Sequence, residues 1–227
     1  MSSRSDSGRP CVGVVLAGGA STRFGGRPKG LVEVGGRRLI DRVLAALRAA
    51  TPRQLVVAND AALLVESLDG VPVHGDVRLD RGSLVGLHSA LTIARGNVLA
   101  VAWDMPFVSA PLLAALRELG ERHGTAAIPE GPRGLEPLCA YYPYTCRALV
   151  DAQLDRQELR LSAFVDALPA RTILQRDDVA EFGELEYLFA NVNTPADLVA
   201  AQRWEERRAR QGQANTARRL TSSSEER

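Results

Sequence analysis

Residues 12–16 read VGVVL, a β-branched run that passes without a break into Leu16-Ala17-Gly18-Gly19-Ala20-Ser21-Thr22-Arg23-Phe24-Gly25-Gly26-Arg27-Pro28-Lys29. A strand apolar on both faces belongs inside a parallel sheet covered by helices on each side. The glycine-rich segment after it is then the loop that leaves the sheet's carboxyl edge. Its glycines let backbone N–H groups approach an anion closely, and its two arginines and one lysine neutralise one. One strand and one loop therefore restrict the chain to an α/β fold with an anion site at the end of its first strand.

The alternation continues downstream. From Leu39, LIDRVLAALRAA places Leu39, Val43, Leu44 and Leu47 on one face at helical spacing, and Thr51-Pro52 ends the helix. QLVVA predicts a second strand ending at Asn59-Asp60, residues 84–94 a helix, NVLAVAW a third strand ending at Asp104, and residues 111–122 the helix behind it. Strands alternating with helices predict a single three-layer α/β/α Rossmann-like domain with a mostly parallel sheet. PLCAYY and the later TIL add strands that make the sheet mixed. The domain is expected over residues 11–210, with a polar N-terminus (1–10) and a polar tail (211–227) predicted disordered.

Length and charge narrow the classes further. The 227 residues, 45% apolar, suit one domain, and the formal net charge of +1 provides no global field to recruit nucleic acid or an acidic membrane surface. Any anion site must be local. Cys11, Cys139 and Cys146 form no C-x-x-C pair, which argues against a disulfide scaffold or zinc cluster and fits buried, inert thiols in a reducing cytoplasm. No run approaches the roughly 20 apolar residues of a membrane span, and MSSRSDSGRP lacks a signal peptide's apolar core.

The loop is not of the Walker type, because Pro28 and Gly30 flank the lysine where a glycine and a hydroxyl are required, and it is not G-x-G-x-x-G either. On physical grounds it is a phosphate cradle, with the backbone of Leu16, Ala17, Gly18 and Gly19 against the phosphates and Arg23 and Lys29 beside them. Asp104 stands where the third strand runs out, the position from which a carboxylate reaches a ligand on the sheet edge. A carboxylate facing a triphosphate is repulsive unless a cation lies between, so Mg²⁺ is the economical reading; the bland alternative is a helix N-cap. His74, His88 and His123 receive no catalytic role. In Asn191-Val192-Asn193-Thr194-Pro195, Thr194 and Pro195 read as N-cap and first residue of a helix. At period two, Asn191 and Asn193 share a face opposite Val192, and either satisfy loop backbone groups or meet a polar ligand.

LAGG-x-S-x-R-F-G-x-x-PK resembles the signature of the nucleotidyltransferase superfamily, and three further segments recur in order: Gly82-Ser83-Leu84-Val85-Gly86-Leu87, Asp104-Met105-Pro106-Phe107 with the later Pro137-Leu138, and Asn191-Val192-Asn193-Thr194-Pro195. Together, over about residues 12–200, they are most similar to the molybdenum cofactor guanylyltransferases (MobA). The resemblance implies a nucleotidyltransferase fold and transfer of GMP from GTP to the terminal phosphate of molybdopterin, with pyrophosphate released. It implies nucleotide contacts at Asn59, Asp76 and Gly86, Mg²⁺ on Asp104, and an acceptor pocket beside Asn191 and Asn193. It also implies a cytoplasmic enzyme that meets molybdenum cofactor insertion proteins and target enzymes only transiently, with no nucleic-acid or membrane partner. Three positions depart from the pattern: Pro28 stands where the family often has aspartate, Ser83 replaces the loop proline, and Trp103 replaces a small residue or cysteine. Pro28-Lys29 keeps related pairings open, CTP with molybdopterin or an NTP with a sugar or alditol phosphate. A non-catalytic nucleotide-binding protein is disfavoured by the joint presence of Arg23, Lys29 and Asp104.

Overall fold

The structure is a computed structural model that describes residues 8–18, 28–68, 70–80 and 82–225. Gly19 and Arg23, two expected cradle residues, lie outside the described residues. The first strand, β1 (Cys11–Ala17), is buried along its whole length. After it come a short hairpin, β2 (Glu33–Val34) with β3 (Arg37–Arg38), then α1 (Leu39–Ala50), β4 (Arg53–Ala58), α2 (Ala62–Val65) and β5 (Val73–His74). The middle of the chain forms α3 (Ser83–Ala94), β6 (Asn97–Ala102), α4 (Ala110–His123), β7 (Ala126–Gly131), β8 (Gly134–Leu135) and β9 (Cys139–Tyr142). The last part is α5 (Cys146–Leu154), α6 (Leu161–Ala167), β10 (Arg171–Leu174), α7 (Arg176–Ala180), α8 (Leu185–Leu188) and α9 (Pro195–Glu225).

The main sheet runs β10-β7-β9-β6-β1-β4-β5, with β8 paired to β7. β1 is parallel to both β4 and β6, β5 to β4, and β10 to β7, whereas β9 lies antiparallel between β6 and β7. The mixed, mostly parallel α/β sheet expected from the sequence is therefore present. Alternate residues of β1 enter different cores. Val15 and Ala17 pack with α1 and α4 on one face, and Val12, Val14 and Leu16 pack with α3, α5 and α6 on the other. This two-sided burial is why the strand reads as a continuous apolar run. The three thiols are buried, and burial pushes the Cys11 thiol up to about 12, as suits an inert side chain. No helix among the described residues is long and apolar enough to cross a membrane.

The tail differs from expectation. α9 continues to Glu225, through the segment whose polar composition predicts disorder. Eight of residues 211–225 are Ala, Arg, Gln, Glu or Leu, good helix formers, and the stretch contains no proline.

Strand order places the ligand crevice. From β1 the chain steps to β4 and β5 on one side, then returns to β6 on the other, so strand order reverses between β1 and β6. In open α/β sheets that reversal opens a crevice beyond the carboxyl ends of the strands. Gly18 comes after β1 there, Asn59 after β4, and Trp103-Asp104 after β6.

Candidate active site

The carboxyl rim is closed by a few backbone bonds. Trp103 N–H donates to the Leu16 carbonyl (3.2 Å), extending the β1–β6 pairing by one residue, and Met105 N–H returns to the Ala102 carbonyl (3.2 Å). Asp104 is thereby held on the tight turn before Pro106, and only 7% of its surface is accessible. Residues 189–194 approach the same turn from the far end of the chain, where Val192 N–H donates to the Asp104 carbonyl (2.9 Å) and the Val192 side chain is buried.

Lys29 reaches this point from a 3-10 turn at Lys29–Leu31. Its ammonium donates to Asp104 Oδ2 at 2.6 Å and to Asn193 Oδ1 at 2.8 Å. Both members of the ion pair are mostly buried, with side chains 12% and 10% exposed. Three residues spread across the whole chain are thus joined at one cationic centre. The Asn193 side chain is available because its backbone is held elsewhere: Asp197 Oδ2 accepts from the N–H groups of Asn193 (2.9 Å) and Thr194 (2.8 Å), while Thr194 Oγ1 accepts from Asp197 N–H (3.2 Å). This reciprocal cap confirms Thr194 and Pro195 as the start of a helix. Asn191 does not join Asn193; its Nδ2 donates to the Phe189 carbonyl (3.2 Å).

The remaining sequence-predicted residues lie around the crevice. Asn59 is exposed, and a Cβ at Gly18 would meet its Oδ1 at 3.0 Å, so Asn59 overhangs the start of the glycine loop. Asp76 lies just after β5, half-buried, with Oδ1 2.9 Å from Ser89 Oγ of α3. Burial pushes its carboxyl above the ordinary range, partly countered by the Ser89 hydroxyl and by His88. Gly86 lies on α3 against the end of β1, where a Cβ would touch Leu16 Cδ2 at 3.6 Å. That is an ordinary contact distance, and Gly86 sits where α3 packs on β1. His88 is buried and placed by Asp151, with Nε2 2.6 Å from Oδ1, in keeping with a structural role.

Two features escape the sequence reading. One is a cleft of about 460 Å³ lined by Ser83, Pro137, Leu138, Arg160 and Ser162, joined to the rim because Ala102 N–H donates to the Leu138 carbonyl (2.9 Å). Arg160 sits beside it, just before α6, in a segment whose sequence carries no obvious signal. The other is an aromatic clamp on the Asp104 turn. Phe107 stacks on Tyr187 with ring centroids 4.2 Å apart, and Trp204 of α9 packs edge-on against both. Glu205 ties the clamp down, accepting from Arg42 Nη1 (3.0 Å) and from the Tyr187 hydroxyl (3.0 Å). An isolated tryptophan within a highly polar helix was the available signal.

The donor set suits a hard divalent cation. Such an ion needs one or two carboxylates and completes its shell with phosphate oxygens and water. Asp104 supplies the carboxylate and already faces a cation, and no cluster of three or more His, Cys, Asp or Glu exists among the described residues as a competing site. The arrangement can neutralise a polyanion from two directions while keeping its own charges paired.

Comparison with known proteins agrees with this chemistry. Residues 13–172 match the model of the MobA-like NTP transferase domain. A molybdenum cofactor guanylyltransferase from Desulfosudis oleivorans is 32% identical over 195 residues, covering 84% of this chain and 93% of that protein. One from Rhizobium leguminosarum bv. trifolii is 33% identical, covering 86% and 92%. Among solved structures, molybdopterin-guanine dinucleotide biosynthesis protein A from Archaeoglobus fulgidus superposes with a TM-score of 0.75 at 28% identity, covering 87% of this chain and 99% of that one.

Proposed function

The chain belongs to the MobA-like NTP transferase family, and on that footing we propose that it transfers GMP from GTP to the terminal phosphate of molybdopterin and releases pyrophosphate. The observation that carries this reading is the junction of Lys29, Asp104 and Asn193 at the strand-order reversal, the place where an α/β sheet binds nucleotides. Residues 11–210 form the transferring domain in this reading, and the enzyme works in the cytoplasm, where its product would pass to cofactor-insertion proteins and target enzymes.

The reaction demands alignment and charge neutralisation more than covalent catalysis. An oxygen of the acceptor's phosphomonoester attacks the α-phosphorus of GTP as the bond to the bridging oxygen breaks, and that electron pair leaves with pyrophosphate. The acceptor needs no general base, because a phosphate monoester with a second pKa of about 6 is already largely dianionic near neutrality. Backbone groups of Leu16, Ala17, Gly18 and Gly19 hold the phosphates, and Lys29, with Arg23, takes up charge as pyrophosphate departs. Asp76 and Asn59 read the guanine, since a carboxylate accepts from both N1–H and N2–H₂. Gly86 keeps α3 close beneath the nucleotide. Asn193 and Asn191 border the acceptor, Asn193 also holding Lys29. Asp104 would hold Mg²⁺, which when bound neutralises phosphate charge and favours in-line geometry.

Pro28-Lys29, as in sugar and isoprenoid nucleotidyltransferases, supports a second reading in which CTP is the donor or a sugar or alditol phosphate the acceptor. Pyrophosphate release with GTP and with CTP, each in the presence of molybdopterin, separates them. The proposal expects release with GTP well above that with CTP; the reverse order assigns the chain to a cytidylyl branch.

A further inference from the structure

Trp103 occupies the position just before Asp104, and its indole does more than fill space. It is 4% exposed, and its backbone N–H is fixed to the Leu16 carbonyl at the rim of β1. Its six-membered ring lies against Gly30, the residue after Lys29: a Cβ on Gly30 would overlap Cε3 and stand 3.0 Å from Cδ2 and 3.1 Å from Cζ3. Only glycine fits there. The turn so backed is short and internally bonded, with Leu31 N–H donating to the Pro28 carbonyl (3.0 Å) and Val32 N–H to that of Lys29 (3.1 Å).

The connections close on themselves. Trp103 supports the backbone next to Lys29, and its chain neighbour Asp104 receives the Lys29 ammonium at 2.6 Å. One dipeptide on the sheet rim thus sets both ends of the lysine. The indole Nε1 is buried and has no hydrogen-bond partner among the described residues. An unmet buried donor costs stability, so a phenylalanine or leucine would serve a merely structural filler better.

We infer that Trp103 is a positioning residue for Lys29: the indole and Gly30 form a fitted pair that fixes the lysine's backbone, so that its ammonium stands at the phosphate site before substrate arrives. The inference rests on the proposed contact between Lys29 and the triphosphate. Trp103 itself touches no substrate; it acts only through the lysine.

Two mutant cycles test this, read as kcat for pyrophosphate release and, in parallel, as GTP affinity by calorimetry, which needs no acceptor. Trp103→Ala and Gly30→Ala should each lower kcat about tenfold or more, the cost of misplacing a charge-stabilising group, while KM for GTP changes by less than about threefold. In a Lys29→Ala background, Trp103→Ala should change kcat by less than about twofold, because the group it positions is gone. Gly30→Ala should likewise have little further effect in a Trp103→Ala background, where the overlap is relieved. Trp103→Phe, which keeps a six-membered ring in a gentler change, should retain most of the rate and guards against a Trp103→Ala protein that fails to fold. Wild-type kcat in Trp103→Ala, or an undiminished effect of Trp103→Ala in the Lys29→Ala background, would overturn the inference. Failure of molybdopterin as acceptor would instead refute the guanylyl reading, and the same kcat cycles are then read with the nucleotide and acceptor pair that does release pyrophosphate.

Discussion

The proposed phosphate end and the proposed base end of the crevice are built on opposite plans. At the phosphate end, Lys29 donates to Asp104 at 2.6 Å and to Asn193 at 2.8 Å, and the Lys29–Asp104 pair is mostly withdrawn from water. At the base end, Asn59 is exposed and Asp76 leans on the single hydroxyl of Ser89. The contrast matches the chemistry each end would perform. Charge developing on a leaving pyrophosphate is best met by groups already in place, since reorganisation during the reaction adds to the barrier. A base reader must keep hydrogen-bonding capacity unspent until its ligand arrives, and its discrimination comes from the penalty of leaving buried polar groups unpaired. Variants at the phosphate end should therefore act on turnover, and variants at the base end on affinity and selectivity.

The largest effect is expected at Asp104. Asp104→Asn keeps the shape of the turn but removes the charge opposite Lys29, so transfer should become unmeasurable while GTP binding, measured by calorimetry, only weakens. Retained activity, either in this variant or in wild-type protein with excess chelator, would break the assignment of a metal-holding carboxylate. Lys29→Ala should come next, lowering turnover about a hundredfold with the far-UV circular dichroism unchanged. It also leaves Asp104 unpaired in a site almost closed to solvent, so the melting temperature should fall, by an amount consistent with about 3 kcal/mol for breaking a buried pair. A fully active Lys29→Ala protein would erase the contrast between the two ends.

These two ends were unequally legible in the sequence. Leu39–Ala50 could be delimited from spacing because seven of its residues are buried, six of them in one core, and β1 because both its faces are buried. The cradle, Asp104 and the Thr194 cap come from rules that act over a few residues. The bond from Lys29 to Asn193 spans 164 positions and depends on how α9 returns to the sheet, which no local pattern encodes. The same holds for the clamp of Tyr187 and Trp204 on Phe107. Period two predicts that Asn191 and Asn193 share a face opposite Val192, which is buried, yet the two amides bind different partners, because the Phe189 carbonyl claims that of Asn191. β7 was hidden by Pro129 within AAIPEG, tolerated beside β10 and β9 but a strand breaker on local rules.

Asn193 sharpens the comparison because it stands between the lysine and the proposed acceptor site. Asn193→Ala should raise KM for molybdopterin and lower kcat about tenfold, the scale of a hydrogen bond to a charged group, with GTP affinity nearly unchanged. The cap made by Asp197 and Thr194 uses only the backbone of residue 193, so the melting temperature should hardly move. A large loss of stability with acceptor kinetics intact would show that the asparagine serves the fold.

The smallest effect belongs to the base end and is read through pH. Burial raises the Asp76 carboxyl above the ordinary range, while the Ser89 hydroxyl and the charge of His88 pull it back. Only the ionised carboxylate accepts from both guanine donors, so GTP affinity should fall on acidification, beginning at a higher pH than an unperturbed aspartate would give. The loss should be about three- to tenfold, the value of one or two neutral hydrogen bonds, with CTP affinity much less affected. Stability runs the other way. The folded protein binds this proton more tightly than the unfolded chain, so the contribution of Asp76 is most favourable in acid and is lost as pH rises through its folded pKa. Ser89→Ala removes one of the two influences holding that pKa down, and should therefore move the onset of GTP loss to still higher pH. Calorimetric titrations with GTP and CTP across the acidic range, in wild-type and Ser89→Ala protein, check both shifts. Identical pH profiles for the two nucleotides would remove Asp76 from base recognition and leave the selectivity to the cleft beside Ser83.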